Sequence, residues 1–126
     1  MANSAGFHEP YERLSASTRD MHRALTSLQE ELEAVDWYQQ RIDATRDPEL
    51  KRILAHNRDE EKEHAMMLLE WIRRRDLAFA RQVKLHVGRP GPIADVEERQ
   101  EAAGAIPPPG RPAPGPAGAA RPGEDG

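Results

Sequence analysis

The chain has 126 residues, 37% of them hydrophobic and 32% charged, and it contains no cysteine. This length predicts one domain, and the lack of cysteine excludes a disulfide framework, a cysteine-ligated zinc or iron–sulfur site and a thiol nucleophile, so any metal must be held by histidine and carboxylate. The net charge of −4 and the lack of any apolar run near the ~20 residues that cross a bilayer predict a cytoplasmic protein with neither nucleic acid nor membrane as a partner.

Residues 1–9 are predicted to be a flexible N-terminus, and a long helix follows them. Its start has two candidates, because Pro10 suits a first helical position and Ser17-x-x-Asp20 resembles a capping box. Along this helix, apolar side chains recur in alternating steps of four and three residues, which is typical of a heptad seam on one face. The seam residues are Met21, Leu25, Leu28, Leu32, Val35 and Ile42.

A second helix is predicted to begin at Pro48, since Asp47 can cap it and proline is favoured at the first helical position. The residues between about 44 and 47 then form a turn, and the second helix continues to about Val87. The same four-three stepping recurs along it, but three consecutive seam positions are polar. The seam residues of this helix are Leu50, Leu54, Asn57, Glu61, His64, Leu68 and Trp71.

The composition changes near Gly88. Residues 93–103 are rich in helix formers and follow Pro92, which predicts a short third helix. Residues 104–126 contain seven prolines and six glycines in 23 positions, and a segment with so few large apolar side chains is predicted to be disordered. We therefore expect a helical domain over residues 10–103 and a disordered tail rich in proline, glycine and alanine over residues 104–126.

The predicted fold class is all-α, an antiparallel hairpin of two long helices with a short third helix. A hairpin of two helices leaves its apolar seams half covered and is too small to be stable by itself. We expect it to form a twofold dimer that completes a four-helix bundle.

The polar residues in the second seam predict a metal site. A carboxylate or imidazole in a bundle core is costly unless it is paired or bound to a metal. Glu61 and His64 lie one helical turn apart, and Glu31 on the first helix can face the same interior. These three residues are half of the ligand set of a di-metal four-helix bundle, and a twofold dimer would supply the other half. Oxygen and imidazole ligands suit iron, manganese or zinc.

A simpler interpretation of the same residues stays open. Glu-x-x-His occurs often by chance in a charged helix, and the run from Asp59 to His64 would usually be a solvated face. A single buried polar residue such as Asn57 can serve only to set the register of the helices. Three polar seam positions opposite Glu31 are poorly explained in this way, which favours the metal site.

Four residues near Glu31 have two interpretations each. Tyr38 fits core packing, and it also fits a contact with a metal ligand. Three nearby residues point away from the seam, namely Glu30, Glu33 and Trp37. Helical phase places Trp37 on the same face as the two glutamates, and a tryptophan there indicates a second contact surface or a patch that collects cations.

Two stretches of the chain resemble the encapsulated ferritin family: EELEAVDWY at residues 30–38 and ILAHNRDEEKEH at residues 53–64. The resemblance spans most of residues 8–95. It implies a ferritin-like ferroxidase with half-length, two-helix subunits, which assemble into a ring-shaped decamer inside an encapsulin nanocompartment in the cytoplasm. There it would oxidise Fe(II) with O₂ and pass the iron on for storage as mineral.

Carried over by motif, the resemblance implies roles for seven residues. Glu31, Glu61 and His64 would be ligands of a di-iron centre between two subunits, and Tyr38 would lie beside them. Glu30, Glu33 and Trp37 would form the site that attracts incoming metal. Family members usually end in an apolar and basic peptide that targets the encapsulin shell, whereas this chain ends in Gly-Glu-Asp-Gly, so we expect the targeting peptide to be missing.

Two other functions fit the same residues. One is a ferritin-like di-metal oxidase that uses manganese. The other is a structural helical adaptor without enzymatic activity, whose acidic face binds a partner. Metal-dependent uptake of O₂ distinguishes an oxidase from the adaptor.

Overall fold

The computed structural model describes residues 6–96, and all regular structure in that range is helical. It contains the α-helices α1 (Ala16–Ala44), α2 (Pro48–Arg75) and α3 (Leu77–His86), together with 3₁₀ turns at Tyr11–Arg13 and Ile93–Asp95. The long helices α1 and α2 form a hairpin. The predicted all-α hairpin of a half-ferritin is therefore confirmed.

Helix α1 begins between the two predicted starts. Ser15 caps it, because its hydroxyl oxygen accepts a hydrogen bond from the backbone N–H of Thr18 at 3.1 Å. Arg19, in the first turn of α1, donates through Nη2 to the backbone oxygen of Tyr11 at 2.5 Å. Its guanidinium carbon lies 3.7 Å from the centre of the Tyr11 ring. These two contacts hold the preceding 3₁₀ turn against the start of α1.

The turn between α1 and α2 follows the prediction. Helix α1 ends at Ala44 and α2 begins at Pro48. Asp47 caps α2, since its Oδ1 accepts the backbone N–H groups of Glu49 at 3.0 Å and Leu50 at 3.4 Å. A proline at the first helical position loses no hydrogen bond there, which explains why the helix starts at this residue.

Two polar side chains of α2 hold the hairpin together. Lys51 donates through Nζ to the backbone oxygen of Ile42 at 2.6 Å, where α1 has carbonyl groups without helical partners. Seven residues further on, Arg58 donates through Nη1 to Oε1 of Gln39 at 2.7 Å. These bonds link the two helices at two levels and favour one register between them.

The predicted extension of the second helix to Val87 is wrong. Helix α2 ends at Arg75, and Asp76 has an extended backbone with φ −136° and ψ 109°. Its Oδ1 accepts the backbone N–H of Phe79 at 2.8 Å, so Asp76 caps the new helix α3. The side chain of aspartate competes with the helical backbone for hydrogen bonds, which favours a cap over a helix interior. The three arginines before it suit a helix end, and this pattern could have predicted the break.

The chain divides after Ile72 into two compact units, the hairpin and the segment from Arg73 onward. In the second unit Leu85 and Val96 are buried. The predicted third helix over 93–103 begins as a 3₁₀ turn at Ile93–Asp95. Residues 1–5, 97–103 and the predicted disordered tail 104–126 lie outside the described residues, and the predicted domain bounds stay a prediction.

The hairpin has a thin interior. Ala24 on α1 and Ala65 and Ile72 on α2 are buried, while most of the seam residues of the two helices are only half-buried. Larger apolar side chains such as Leu32, Ile53 and Met66 are exposed in the single chain. An apolar surface of this kind favours the predicted dimer, which itself stays a prediction.

Candidate metal centre

The hairpin brings together three side chains that can bind a metal. Glu31 projects from α1, and Glu61 and His64 project from α2, where a spacing of three residues places them on one face. Each offers one ligand atom, and these three atoms all lie within 4.8 Å of one another. Among residues 6–96, no other group of three histidine, aspartate or glutamate side chains converges in this way.

The imidazole of His64 lies between the two carboxylates. Its Nδ1 is 3.2 Å from Oε1 of Glu61 and 3.5 Å from Oε1 of Glu31. The side chains of Glu31 and Glu61 are 25% and 22% exposed, and that of His64 is 42% exposed. The cluster is thus shielded by the helices on one side and reached by solvent on the other.

The carboxyl groups of Glu31 and Glu61 shift each other's pKa in opposite directions. A hydrogen bond with Glu61, reinforced by partial burial and by the negative charge of Glu61, raises the pKa of Glu31 above its ordinary value. The same hydrogen bond, assisted by His64, lowers the pKa of Glu61. Two carboxylates this close disfavour each other's ionisation, so Glu31 keeps its proton to a higher pH than an ordinary glutamate does.

His64 is also drawn toward its protonated form. Its hydrogen bond with Glu61, supported by the negative charges of Glu31 and Glu61, raises the pKa of the imidazole above its ordinary value. Partial burial opposes this rise but does not reverse it. A positive imidazolium therefore neutralises part of the negative charge that the carboxylates concentrate here.

The donor set of the cluster fits a divalent transition metal. Two carboxylate oxygens and one imidazole nitrogen suit iron, manganese or zinc. A metal competes with protons for Glu31 and His64, because ligands bind in their deprotonated forms. Their side chains already point to one place, so little rearrangement is needed.

The residues predicted to attract metal lie outside this cluster. Glu30 is exposed, Glu33 is partly exposed, and the Trp37 side chain is 49% exposed. Trp37 lines a shallow groove with Gln40 and Arg41. The structure therefore separates these residues from Glu31, as their helical phase predicts, and their role stays a prediction.

Tyr38 is half-buried on α1, two turns after Glu31. The guanidinium carbon of Arg41 lies 5.6 Å from the centre of its ring, a distance that allows a cation–π contact. Its predicted place beside a metal ligand stays a prediction.

Sequence reasoning did not single out a groove beside the cluster. This groove has a volume of about 460 Å³, and His64, Met67 and Trp71 of α2 form part of its wall. The three residues are spaced by three and four positions, which is the pattern of one helical face and could have indicated that they share a surface.

Comparisons with known proteins agree with this architecture. Residues 6–88 match the family model described as EncFtn-like. The "Encapsulated ferritin-like protein" of Rhodospirillum rubrum is 56% identical over 95 residues, which cover 75% of this chain and 68% of that protein. The "Encapsulin nanocompartment cargo protein EncC" of Myxococcus xanthus is 34% identical over 84 residues, which cover 67% of this chain and 65% of that protein.

A solved structure is similar to this chain in both fold and sequence. The crystal structure of protein ne0167 from Nitrosomonas europaea has a TM-score of 0.69 and 64% sequence identity to it. The similarity covers 71% of this chain and 98% of that chain. In the described range of this protein, no helix has the length and apolar character needed to cross a membrane.

Metal binding should release protons from this cluster. We expect Zn(II), added to the full-length protein in weak buffer, to acidify the solution as it displaces protons from His64 at about pH 6.5 and from both His64 and Glu31 at about pH 4.5, near the ordinary pKa values of histidine and glutamate. Because the pKa of both groups is raised, the apparent affinity should fall as the pH is lowered. A pH indicator and calorimetry measure the two effects.

A matched pair of variants identifies the source of these protons. At about pH 4.5, Glu31→Gln should release fewer protons for each metal bound, whereas Glu60→Gln, which alters an exposed carboxylate on α2, should release as many as the unmodified protein. Tight Zn(II) binding without proton release would contradict the raised pKa of Glu31 and His64.

Proposed function

This chain belongs to the EncFtn-like family, that of the encapsulated ferritins, and we propose that it is a ferroxidase, which oxidises Fe(II) to Fe(III) with O₂. The observation that carries the proposal is the convergence of Glu31, Glu61 and His64 within 4.8 Å on the hairpin. In this reaction iron is the substrate, and the three residues are its ligands.

We propose that two subunits complete the centre. One chain supplies two carboxylates and one imidazole, which is too few to hold two metals. A twofold axis beside the cluster doubles the set to four carboxylates and two imidazoles. Four negative charges then balance two Fe(II) ions, while neutral imidazoles add ligands without charge. The exposed side of His64 and the exposed apolar residues of the hairpin support a partner at this face.

The ligands have distinct tasks in the proposed reaction. Glu31 and Glu61 provide hard oxygen atoms, which favour Fe(III) over Fe(II) and so assist the loss of an electron. When it is an imidazolium, His64 must lose its Nδ1 or Nε2 proton before it binds a metal. Two Fe(II) ions held together supply two electrons, the number that reduces O₂ to hydrogen peroxide with two protons.

We propose that Glu30, Glu33 and Trp37 form the surface that attracts iron. The two glutamates flank Glu31 in the sequence but lie at other angles around α1, and they face solvent at least in part. Carboxylates at such a position raise the local concentration of cations near the centre without binding them in it. Tyr38 is proposed to lie beside a ligand of the completed centre.

We propose that the protein works as cargo of an encapsulin shell. The names of the relatives from Rhodospirillum rubrum and Myxococcus xanthus describe an encapsulated protein and an encapsulin cargo protein. The oxidised iron would be stored as mineral inside this compartment in the cytoplasm. The subunits would assemble as a ring-shaped decamer, as the resemblance to the family implies.

A manganese-using oxidase is the second candidate. Two carboxylates and an imidazole bind Mn(II) as well as Fe(II), and the geometry of the cluster does not select between them. Comparison of O₂ uptake with Fe(II) and with Mn(II) distinguishes the two candidates.

Removal of any ligand should abolish most of the activity. We expect Glu31→Ala, Glu61→Ala and His64→Ala each to slow the initial oxidation of Fe(II) at least about tenfold, because the twofold axis removes two ligands for every substitution. Initial rates are followed by ferric absorbance and by O₂ consumption under the same conditions.

Glu60→Ala is the control for this comparison, since Glu60 is an exposed glutamate on the same helix whose partner is His56 at 3.7 Å. Its rate should match that of the unmodified protein. Full activity in all three ligand variants would rule out this centre, and no metal-dependent O₂ uptake by the unmodified protein would favour the structural adaptor.

The attraction surface should affect the arrival of iron rather than the centre itself. We expect Glu30→Ala with Glu33→Ala to slow oxidation roughly two- to tenfold at low Fe(II) and low salt, since nearby negative charge speeds the arrival of cations. The difference should shrink at saturating Fe(II). Loss of metal from the centre in a crystal structure of this variant would show that these residues are ligands.

Metal and assembly should be linked. Empty clusters on two subunits bring acidic side chains together, and a bound divalent cation converts that repulsion into bridging. Sedimentation near the dissociation concentration should therefore show larger species with anaerobic Fe(II) than without metal. His64→Ala should weaken this shift, and an unchanged distribution would contradict a centre shared between subunits.

A further inference from the structure

The groove beside the candidate metal centre carries a residue that the proposed reaction does not use. His64 forms part of its wall, and Met67 and Trp71 continue the same wall along α2. Met67 follows His64 by one helical turn, which places their β-carbons about 5–6 Å apart on one face. A sulfur atom therefore lies on the surface that leads away from the centre.

A second methionine provides an internal comparison. Met66 precedes Met67 in the chain, and the two are almost equally exposed in the single chain, at 55% and 57%. Successive residues of a helix point about 100° apart, and Met66 is not part of the groove wall. The two side chains thus have the same chemistry and similar exposure, but only Met67 shares a surface with His64.

The proposed reaction supplies an oxidant for this sulfur. Two Fe(II) ions and O₂ give two Fe(III) ions and hydrogen peroxide when two protons are taken up. A thioether sulfur attacks one peroxide oxygen, so that an S–O bond forms, the O–O bond breaks and water leaves. The sulfur is oxidised by two electrons and the peroxide is reduced by two, which gives methionine sulfoxide.

We propose that Met67 is a modification site, which intercepts hydrogen peroxide released from the centre and becomes methionine sulfoxide. This inference rests on the proposed ferroxidase function and adds a fate for the reduced oxygen. His64 belongs to both the cluster and the groove wall, so peroxide formed at the cluster would reach Met67 at a higher local concentration than Met66, and location rather than exposure would select the methionine. The product is reducible, and Met67 can serve again after repair.

The test measures where oxygen enters the chain during turnover. The full-length protein is mixed with Fe(II) in ¹⁸O₂-saturated buffer that contains catalase, and peptide mass spectrometry measures labelled sulfoxide at Met66 and Met67. A parallel sample without iron receives hydrogen peroxide in place of O₂, with catalase omitted. This sample gives the ratio of Met67 to Met66 oxidation set by access from bulk solvent.

We expect the ratio of Met67 to Met66 oxidation to be at least about fivefold higher during turnover than with added peroxide, because only turnover delivers the oxidant locally. His64→Ala should lose labelled sulfoxide at Met67 together with Fe(II) oxidation. Equal ratios in the two samples, with Fe(II) oxidised normally, would overturn the inference and leave the ferroxidase intact.

Two further outcomes have separate meanings. Labelled hydroxyl groups on Trp71 without enrichment at Met67 would show radical chemistry in the groove and would overturn the inference. Fe(II) oxidation no faster than in buffer without protein would reject the proposed function and the inference with it. Ferric absorbance from the same samples distinguishes this last case from the others.

Discussion

The structure depends on how two carboxylates are kept close together inside a helical hairpin. Glu31 and Glu61 lie on different helices, and two negative charges at this separation repel unless something positive lies between them. The imidazole of His64 lies near both carboxylates, and hydrogen bonds with Glu61 together with nearby negative charge raise the pKa of both Glu31 and His64. A divalent cation satisfies the same requirement with greater charge, which is why the cluster suits one.

The rest of the hairpin sets the register that brings these side chains together. The cap by Asp47 ends the turn at a defined residue, and the bonds of Lys51 and Arg58 to α1 join the helices at successive levels. The bond between Arg58 and Gln39 lies one turn before Glu61 on α2. Small side chains at Ala24 and Ala65 let the helices approach closely. Local capping and a few links between helices thus position a functional cluster in a fold with little core.

The half-covered seams and the incomplete ligand set are both expected of a hairpin that is half of a four-helix bundle. A four-helix bundle would bury the seams that this hairpin leaves half-covered, and half of a bundle contains half of a ligand set. Polar residues in the seam reduce the apolar area available for association, and in the proposed dimer metal bridging would compensate for that loss. The groove shares His64 with the cluster, which places Met67 near the proposed reaction.

The sequence by itself determined the features that arise from spacing along one helix. The start of α2 at Pro48 and the shared face of Glu61 and His64 follow from residues a few positions apart, and helical phase also placed Glu31 toward the interior. The tertiary structure decided the distances between the helices, the opposite pKa shifts of Glu31 and Glu61, and the groove that includes Met67. These depend on how two helices pack, which no single helix specifies. The break at Asp76 was missed for a local reason, because a cap and a helix interior compete by small free energies that periodicity does not reveal.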